Sequence, residues 1–278
     1  MRRYVLIIII ICLLIAGVIF GSKPEEAPQQ AASQSVDYKK VEIRSDQVDD
    51  IFSIDIVLPD GYDLNPEKKY PVLYMTDGNG REPDYETIHS LISTGSVKDV
   101  IVVGIGYPED HDVIESRERE FNQNPDDFLD FILSDIIPYI DQNYKTDISD
   151  RTLYGSSLGG YFSLYAFIKC ETGQAEDVFK NYVAVSWCCM TKEQEKRLYD
   201  AELKLKAFNR DFITSLCVTV GDWDTQSLLD NFNKIIDVLE SRKYPGLDFT
   251  HVLNEGRDHS TNGAPSLLEA LEKYLAEP

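Results

Sequence analysis

Ser157 is the centre of Gly155-Ser156-Ser157-Leu158-Gly159, a G-x-S-x-G string between the β-like run Arg151-Thr152-Leu153-Tyr154 and an apolar helical segment that starts near Leu158. A strand that turns abruptly into a helix forces its central residue into a strained conformation and lifts that side chain above the sheet. The flanking positions must then lack bulk, which makes Gly155 and Gly159 structural turn glycines. Ser156 fails the same test, because its flanks two residues away are Tyr154 and Leu158. The chemistry such a serine offers is nucleophilic attack on an acyl carbonyl, with the helix N-terminus supplying a positive dipole and a free N–H at Leu158.

A serine hydroxyl is a poor nucleophile at neutral pH, so a base must lie beside it and a third group must orient that base. The chain has four histidines. In strand–elbow–helix architectures the order is serine, acid, histidine, which sets aside His89 and His111. His251 lies inside the strand-like run LDFTHVL. His259, in the polar loop Gly256-Arg257-Asp258-His259-Ser260 between the last strand and the last helix, is the candidate base. The acid should follow the preceding strand, where Gly221-Asp222-Trp223-Asp224 offers two carboxylates pointing different ways. Asp224 is preferred and Asp222 is the alternative; Asp258 has at most a supporting role. A metal site on the D-x-D pair has little behind it, with no histidine nearby in sequence. A tetrahedral oxyanion needs two backbone donors. Leu158 N–H is one, and the loop Asp77-Gly78-Asn79-Gly80 offers Asn79 N–H as the other, with Gly78 expected to let the chain turn tightly.

The elements that must position these residues alternate between short β-like runs and amphipathic helical segments, which argues an α/β class. Strands are expected at 38–45, 51–58, 70–75, 99–106, 151–154, 181–186, 214–220 and 247–253, and helices at 84–94, 125–143, 158–169, 192–208, 226–242 and 264–275. The first two strands alternate in polarity and suit an antiparallel entry, while later ones are continuously apolar and suit parallel central strands covered on both faces. Asn124 is expected to cap the second helix, with Pro125 at its first position, and Pro138 to kink it. The polar stretch 107–124 is expected to overhang the pocket. Neither a repeat nor a composition break follows residue 38, so one domain over 38–278 is the simplest organisation.

With 43% hydrophobic and 11% aromatic residues the chain can bury a core, which excludes wholesale disorder. Its 27 basic and 48 acidic residues give a net charge of −21, which repels phosphate backbones and excludes nucleic acid as a natural partner. Residues 5–21, VLIIIIICLLIAGVIFG, follow Arg2-Arg3 and carry no charge. The run fits either an uncleaved signal-anchor, held in the inner membrane with the arginines cytoplasmic and the rest of the chain outside, or a cleaved signal peptide that leaves a periplasmic or secreted protein. Residues 22–37 are rich in Pro, Ala, Gln and Ser and read as a flexible linker. Cys12 belongs to the apolar run. Cys170, Cys188, Cys189 and Cys217 match no zinc spacing and fit either buried thiols or a disulfide to one of the vicinal pair.

KKYPVLYMTDGNG, FLDFILSDIIPYIDQNYKTDISDRTLYGSSLGGYFSLYAF, VAVSWCC, VTVGDWD and EGRDHS together resemble the successive blocks of the esterase D-like family of α/β-hydrolases, over about residues 40–276. That resemblance implies an α/β-hydrolase fold: a mostly parallel central sheet with an antiparallel N-terminal entry and helices on both faces. It also implies a serine carboxylic-ester hydrolase acting on a small-molecule ester, with no cofactor and no metal, to which the N-terminal apolar run adds export. The family's motifs place the nucleophile on Ser157, the acid on Asp224, the base on His259 and the oxyanion donors on Asn79 and Leu158. The family includes siderophore, feruloyl and acetyl esterases, S-formylglutathione hydrolases and mycolyltransferases, so acyl transfer on the same triad is an alternative, and a tethered binding protein on an inactive scaffold is another. Where the family often has Pro-Ser-x-Trp-Trp, this chain has Val185-Ser186-Trp187-Cys188-Cys189, which alters one pocket wall. An aspartate stands where siderophore esterases commonly have glutamate, and no basic cluster suits a tri-anionic iron chelate.

Overall fold

The computed structural model describes residues 36–175, 177–208 and 210–276. The expected signal or anchor at 1–21, Cys12 within it, and all but the last two residues of the expected linker lie outside the described residues. Among those described, no helix is long and apolar enough to cross a membrane.

Among the described residues eight strands form one sheet: β1 (Lys39–Ser45), β2 (Asp50–Val57), β3 (Tyr70–Thr76), β4 (Ile101–Gly106), β5 (Thr146–Ser156), β6 (Asn181–Val185), β7 (Ser215–Gly221) and β8 (Asp248–Asn254). Their spatial order is β1-β2-β4-β3-β5-β6-β7-β8. The β1–β2 and β2–β4 pairs are antiparallel and every later pair is parallel, as the switch from alternating to continuously apolar runs implies. The helices are α1 (Glu82–Ser93), α2 (Val113–Arg117), α3 (Pro125–Phe131), α4 (Ile137–Asn143), α5 (Leu158–Lys169), α6 (Lys192–Phe208), α7 (Gln226–Arg242) and α8 (Gly263–Leu275).

Successive residues of β3 serve opposite faces. Tyr70, Val72 and Tyr74 join the larger core with α3, α4, α5, α6 and α7, while Leu73 and Met75 join a second core with α1 and α8. The α5 segment is apolar nearly all round, and Leu158 to Ile168 are all buried, which is why its sequence lacks an amphipathic period.

Two local expectations differ from the structure. Asn124 occupies the cap position of α3 but its side chain makes no capping bond; its backbone N–H donates to the Arg119 carbonyl at 2.8 Å. The helix expected at 125–143 keeps those bounds but is not α throughout: α3 and α4 are joined by a π turn, Ile132–Ile136, directly before Pro138. A wider turn absorbs the N–H that proline lacks. The 107–124 stretch is anchored rather than loose. Asp112 caps α2 by accepting from Ile114 N and Glu115 N at 2.9 and 3.1 Å, and Phe121 packs on Phe128 and Phe162 with ring centroids 5.5 Å away.

Phe52 anchors the antiparallel side of the sheet, fully buried and stacked on Phe131 at 4.4 Å. Phe52→Ala should cost about 3–5 kcal/mol of unfolding free energy in urea; a loss below about 1 kcal/mol would mean that this cluster does not hold β2 to the helices.

Candidate active site

Ser157 is the single residue between β5 and α5, at φ 61° and ψ −121°. Its N–H donates to the Val185 carbonyl of neighbouring β6 at 2.8 Å, and its carbonyl accepts from Tyr161 N at 3.0 Å. A Cβ at Gly155 would lie 2.0 Å from the Gly159 carbonyl oxygen, and one at Gly159 would lie 2.3 Å from Thr76 Oγ1. No side chain fits at either place. Ser157 is therefore raised at the carboxyl end of the parallel strands, beside the end of β3.

His259 and Asp224 converge on it from separate loops. Ser157 Oγ is 2.9 Å from His259 Nε2, and His259 Nδ1 is 3.5 Å from Asp224 Oδ1. The histidine ring is partly open to solvent, while the Asp224 carboxylate is completely buried. Asp222 turns elsewhere: its Oδ1 accepts from Gly256 N at 2.7 Å and so pins the loop that carries the histidine. Trp223 N donates to the Arg257 carbonyl at 2.9 Å and adds a second tie. Asp258 Oδ1 accepts from the hydroxyls of Ser260 and Thr261, both at 2.8 Å, and from their backbone N–H groups. Those donors, the Ser260 hydroxyl first, hold the Asp258 carboxyl below its ordinary value. The turn they stabilise persists above the usual carboxylate range and weakens only as pH falls through the depressed value.

Leu158 N and Asn79 N donate to no other protein group among the described residues. The Asn79 side chain instead clamps its loop onto the end of β4, donating to the Tyr107 carbonyl at 2.8 Å and accepting from Tyr107 N at 2.7 Å. Gly78 differs from expectation. The left-handed residues in this loop are Asp77, at φ 60°, and Gly80, at φ 85°, whereas Gly78 is needed for close approach, since a Cβ there would sit 2.8 Å from the Gly104 carbonyl carbon. Asp77 is held by an ion pair with Arg117 from α2.

Three neighbours carry no motif of their own. Cys188 Sγ lies 3.8 Å from Ser157 Oγ and forms the wall that the altered Ser-Trp-Cys-Cys block pointed to. Burial pushes its thiol up from the ordinary cysteine value, so it stands beside the serine as a neutral group. Ser186 and Asn262 lie behind Asp224, and single serines and asparagines give no spacing signal by which a sequence could reveal them. All four cysteines after residue 100 are free thiols, which decides between the two readings of them.

A strained serine between a parallel strand and a buried helix, with a histidine and a buried aspartate from later loops, defines an α/β-hydrolase. The chain belongs to the esterase family whose model, described as "Putative esterase", matches residues 45–263. It is 29% identical over 154 residues to the ferri-bacillibactin esterase BesA of Bacillus subtilis, covering 44% of this chain and 48% of that protein. It is 26% identical over 195 residues to a siderophore triacetylfusarinine C esterase of Aspergillus fumigatus, covering 62% and 63% respectively. The matches thus span about half of the first relative and under two thirds of the second. Among solved structures, the BES protein from Bacillus cereus superposes with a TM-score of 0.72 at 22% identity, over 93% of this chain and 100% of that one, and shares the fold.

Gly155→Ala tests the elbow without reference to turnover. The contact with the Gly159 carbonyl should cost about 1–3 kcal/mol or more in chemical denaturation; an unchanged midpoint would show that the turn has slack it is not expected to have.

Proposed function

We propose that the chain is a serine carboxylic-ester hydrolase. The observation that carries this reading is the 2.9 Å contact between Ser157 Oγ and His259 Nε2 at the strained elbow. In the proposed reaction Ser157 Oγ attacks the ester carbonyl carbon as His259 Nε2 takes its proton. The oxyanion accepts hydrogen bonds from Leu158 N–H and Asn79 N–H, the two donors left without a protein partner. His259 returns the proton to the leaving alcohol, which departs and leaves an acyl-Ser157 ester. Water then attacks that ester with His259 again as base, releasing the acid and restoring the serine. Asp224 fixes the tautomer by facing Nδ1 and stabilises the imidazolium.

The names of the relatives make an iron-chelating oligoester the first substrate class to test. Against it stands the local charge: Arg117 and Arg81, both beside the Asn79 loop, are already paired with Asp77 and Asp84. The apolar run at 5–21 supports placement of this domain outside the cytoplasm, anchored or released.

Hydrolysis of short p-nitrophenyl esters by the full chain should fall about 10⁴-fold or more in Ser157→Ala. Comparable turnover by that variant would overturn the assignment. Asp224→Asn should cost about 10³- to 10⁴-fold in kcat and Asp222→Asn far less; the reverse order would move the acid role to Asp222. Ferri-bacillibactin and triacetylfusarinine C, followed by mass spectrometry of the released acids and alcohols, should be cleaved in preference to simple esters if the relatives' substrate class carries over. Cleavage of simple esters alone would exclude that class.

A further inference from the structure

Behind the three residues lies a chain of buried polar side chains that the proposed reaction does not use. Ser186 follows β6 at φ 40°, a left-handed conformation that is costly for a residue with a Cβ. Its hydroxyl donates to Asp224 Oδ2 at 2.9 Å and accepts from Asn262 Nδ2 at 2.8 Å. Asn262 Oδ1 accepts from Asn254 Nδ2 at 2.7 Å, which also reaches Ser266 Oγ at 3.2 Å, and Ser266 Oγ is 2.7 Å from Thr219 Oγ1. Ser186, Asn262, Ser266 and Thr219 are all within 1% of complete burial. Apolar side chains would fill this space without the desolvation that polar ones must offset by bonding to each other.

The chemistry of each link gives the network a direction. A hydroxyl has one proton, and an amide nitrogen can only donate. With Asn262 Nδ2 occupying a lone pair of Ser186 Oγ, the Ser186 proton is left for Asp224. Gly221 N adds a second donor to the same Oδ2 at 3.2 Å. Two donors on one oxygen fix rotation of the carboxylate and turn Oδ1 towards His259 Nδ1. Among the described residues Oδ1, although buried, has no hydrogen-bond partner, and His259 Nδ1 faces it at 3.5 Å. The far end of the relay matters equally: Asn262 follows His259 by three residues, so the network that orients the acid also holds the loop of the base.

We infer that Ser186 and Asn262 are positioning residues that aim one Asp224 oxygen at His259 and tie the base loop to the acid. The inference rests on the esterase reading above. Ser186→Gly in the full chain removes the hydroxyl and suits the φ 40° backbone, so it retains the fold. Its kcat on p-nitrophenyl esters should fall about 10- to 100-fold with KM little changed and a cooperative melting transition retained. A crystal structure should show the Asp224 carboxylate rotated or the Nδ1 to Oδ1 separation lengthened. Asn262→Ala should lower kcat in the same way from the loop side; if it fails to fold, Ser186→Gly decides alone. Wild-type kcat in Ser186→Gly, or a carboxylate unmoved in its crystal, overturns the inference. Ser157→Ala, assayed in parallel, separates the two claims. Should it hydrolyse ester as fast as wild type, the esterase reading fails, and the position of Asp224 in the crystals still settles the positioning.

Discussion

The backbone of Ser157, at φ 61° and ψ −121°, is a conformation that a residue with a side chain holds only when the structure on both sides leaves it no other. On one side is β5, paired in parallel with β3 and β6. On the other is α5, buried along its whole face from Leu158 to Ile168. Relaxing the serine would mean sliding that helix against the sheet, where the contacts of Gly155 and Gly159 leave no clearance. The site is therefore built outward from one strained residue that the largest body of packed apolar surface keeps in place. The Asn79 loop meets the elbow through the Thr76 and Asp77 contacts with Gly159, so the two proposed oxyanion donors share the same support.

His259 has no such backing. It comes from the loop after β8, an edge strand with several exposed residues, and the loop from Glu255 to Thr261 is itself mostly exposed. Apolar packing cannot fix a loop that lies on the surface, so directional bonds must. Asp222 and Trp223 hold its first half, Asp258 closes its turn, and Asn262 reaches back through Ser186 to Asp224. Gly221 lets this happen, since a Cβ there would stand 2.1 Å from the Arg257 carbonyl oxygen. The D-x-D pair thus has a division of labour: Asp224 is buried against the histidine, and Asp222 ties down its loop.

The sheet was legible because burial imposes period and composition. Alternation in β1 and continuous apolar runs in β3 and β4 follow from one-sided and two-sided covering, and the parallel order follows from helices between strands. That Ser157, Asp224 and His259 come together was legible because the elbow restricts side chains at fixed offsets and the architecture fixes the chain order. What did not show was whatever has no period. The π turn before Pro138 is a local response to one missing N–H. Asp77, rather than Gly78, takes a left-handed position because Gly78 is committed to the contact with Gly104. Ser186 and Asn262 lie far apart in sequence and meet only where the end of β6 approaches the loop after β8, and nothing in either local sequence announces the other.

Two nucleophilic atoms, Ser157 Oγ and Cys188 Sγ, lie 3.8 Å apart, and physical chemistry separates them. A thiol is intrinsically the better nucleophile, but only as thiolate, and burial raises the Cys188 value so that the neutral form dominates. A hydroxyl is worse in isolation but reacts when its proton has an acceptor at hydrogen-bond distance. His259 Nε2 is placed 2.9 Å from the serine oxygen, and the aspartate behind it faces the other ring nitrogen. In the proposed mechanism this geometry activates the weaker nucleophile, while desolvation keeps the stronger one protonated as part of the wall. That asymmetry, rather than the presence of a serine in a glycine-rich turn, is the physical basis for assigning the proposed chemistry to Ser157.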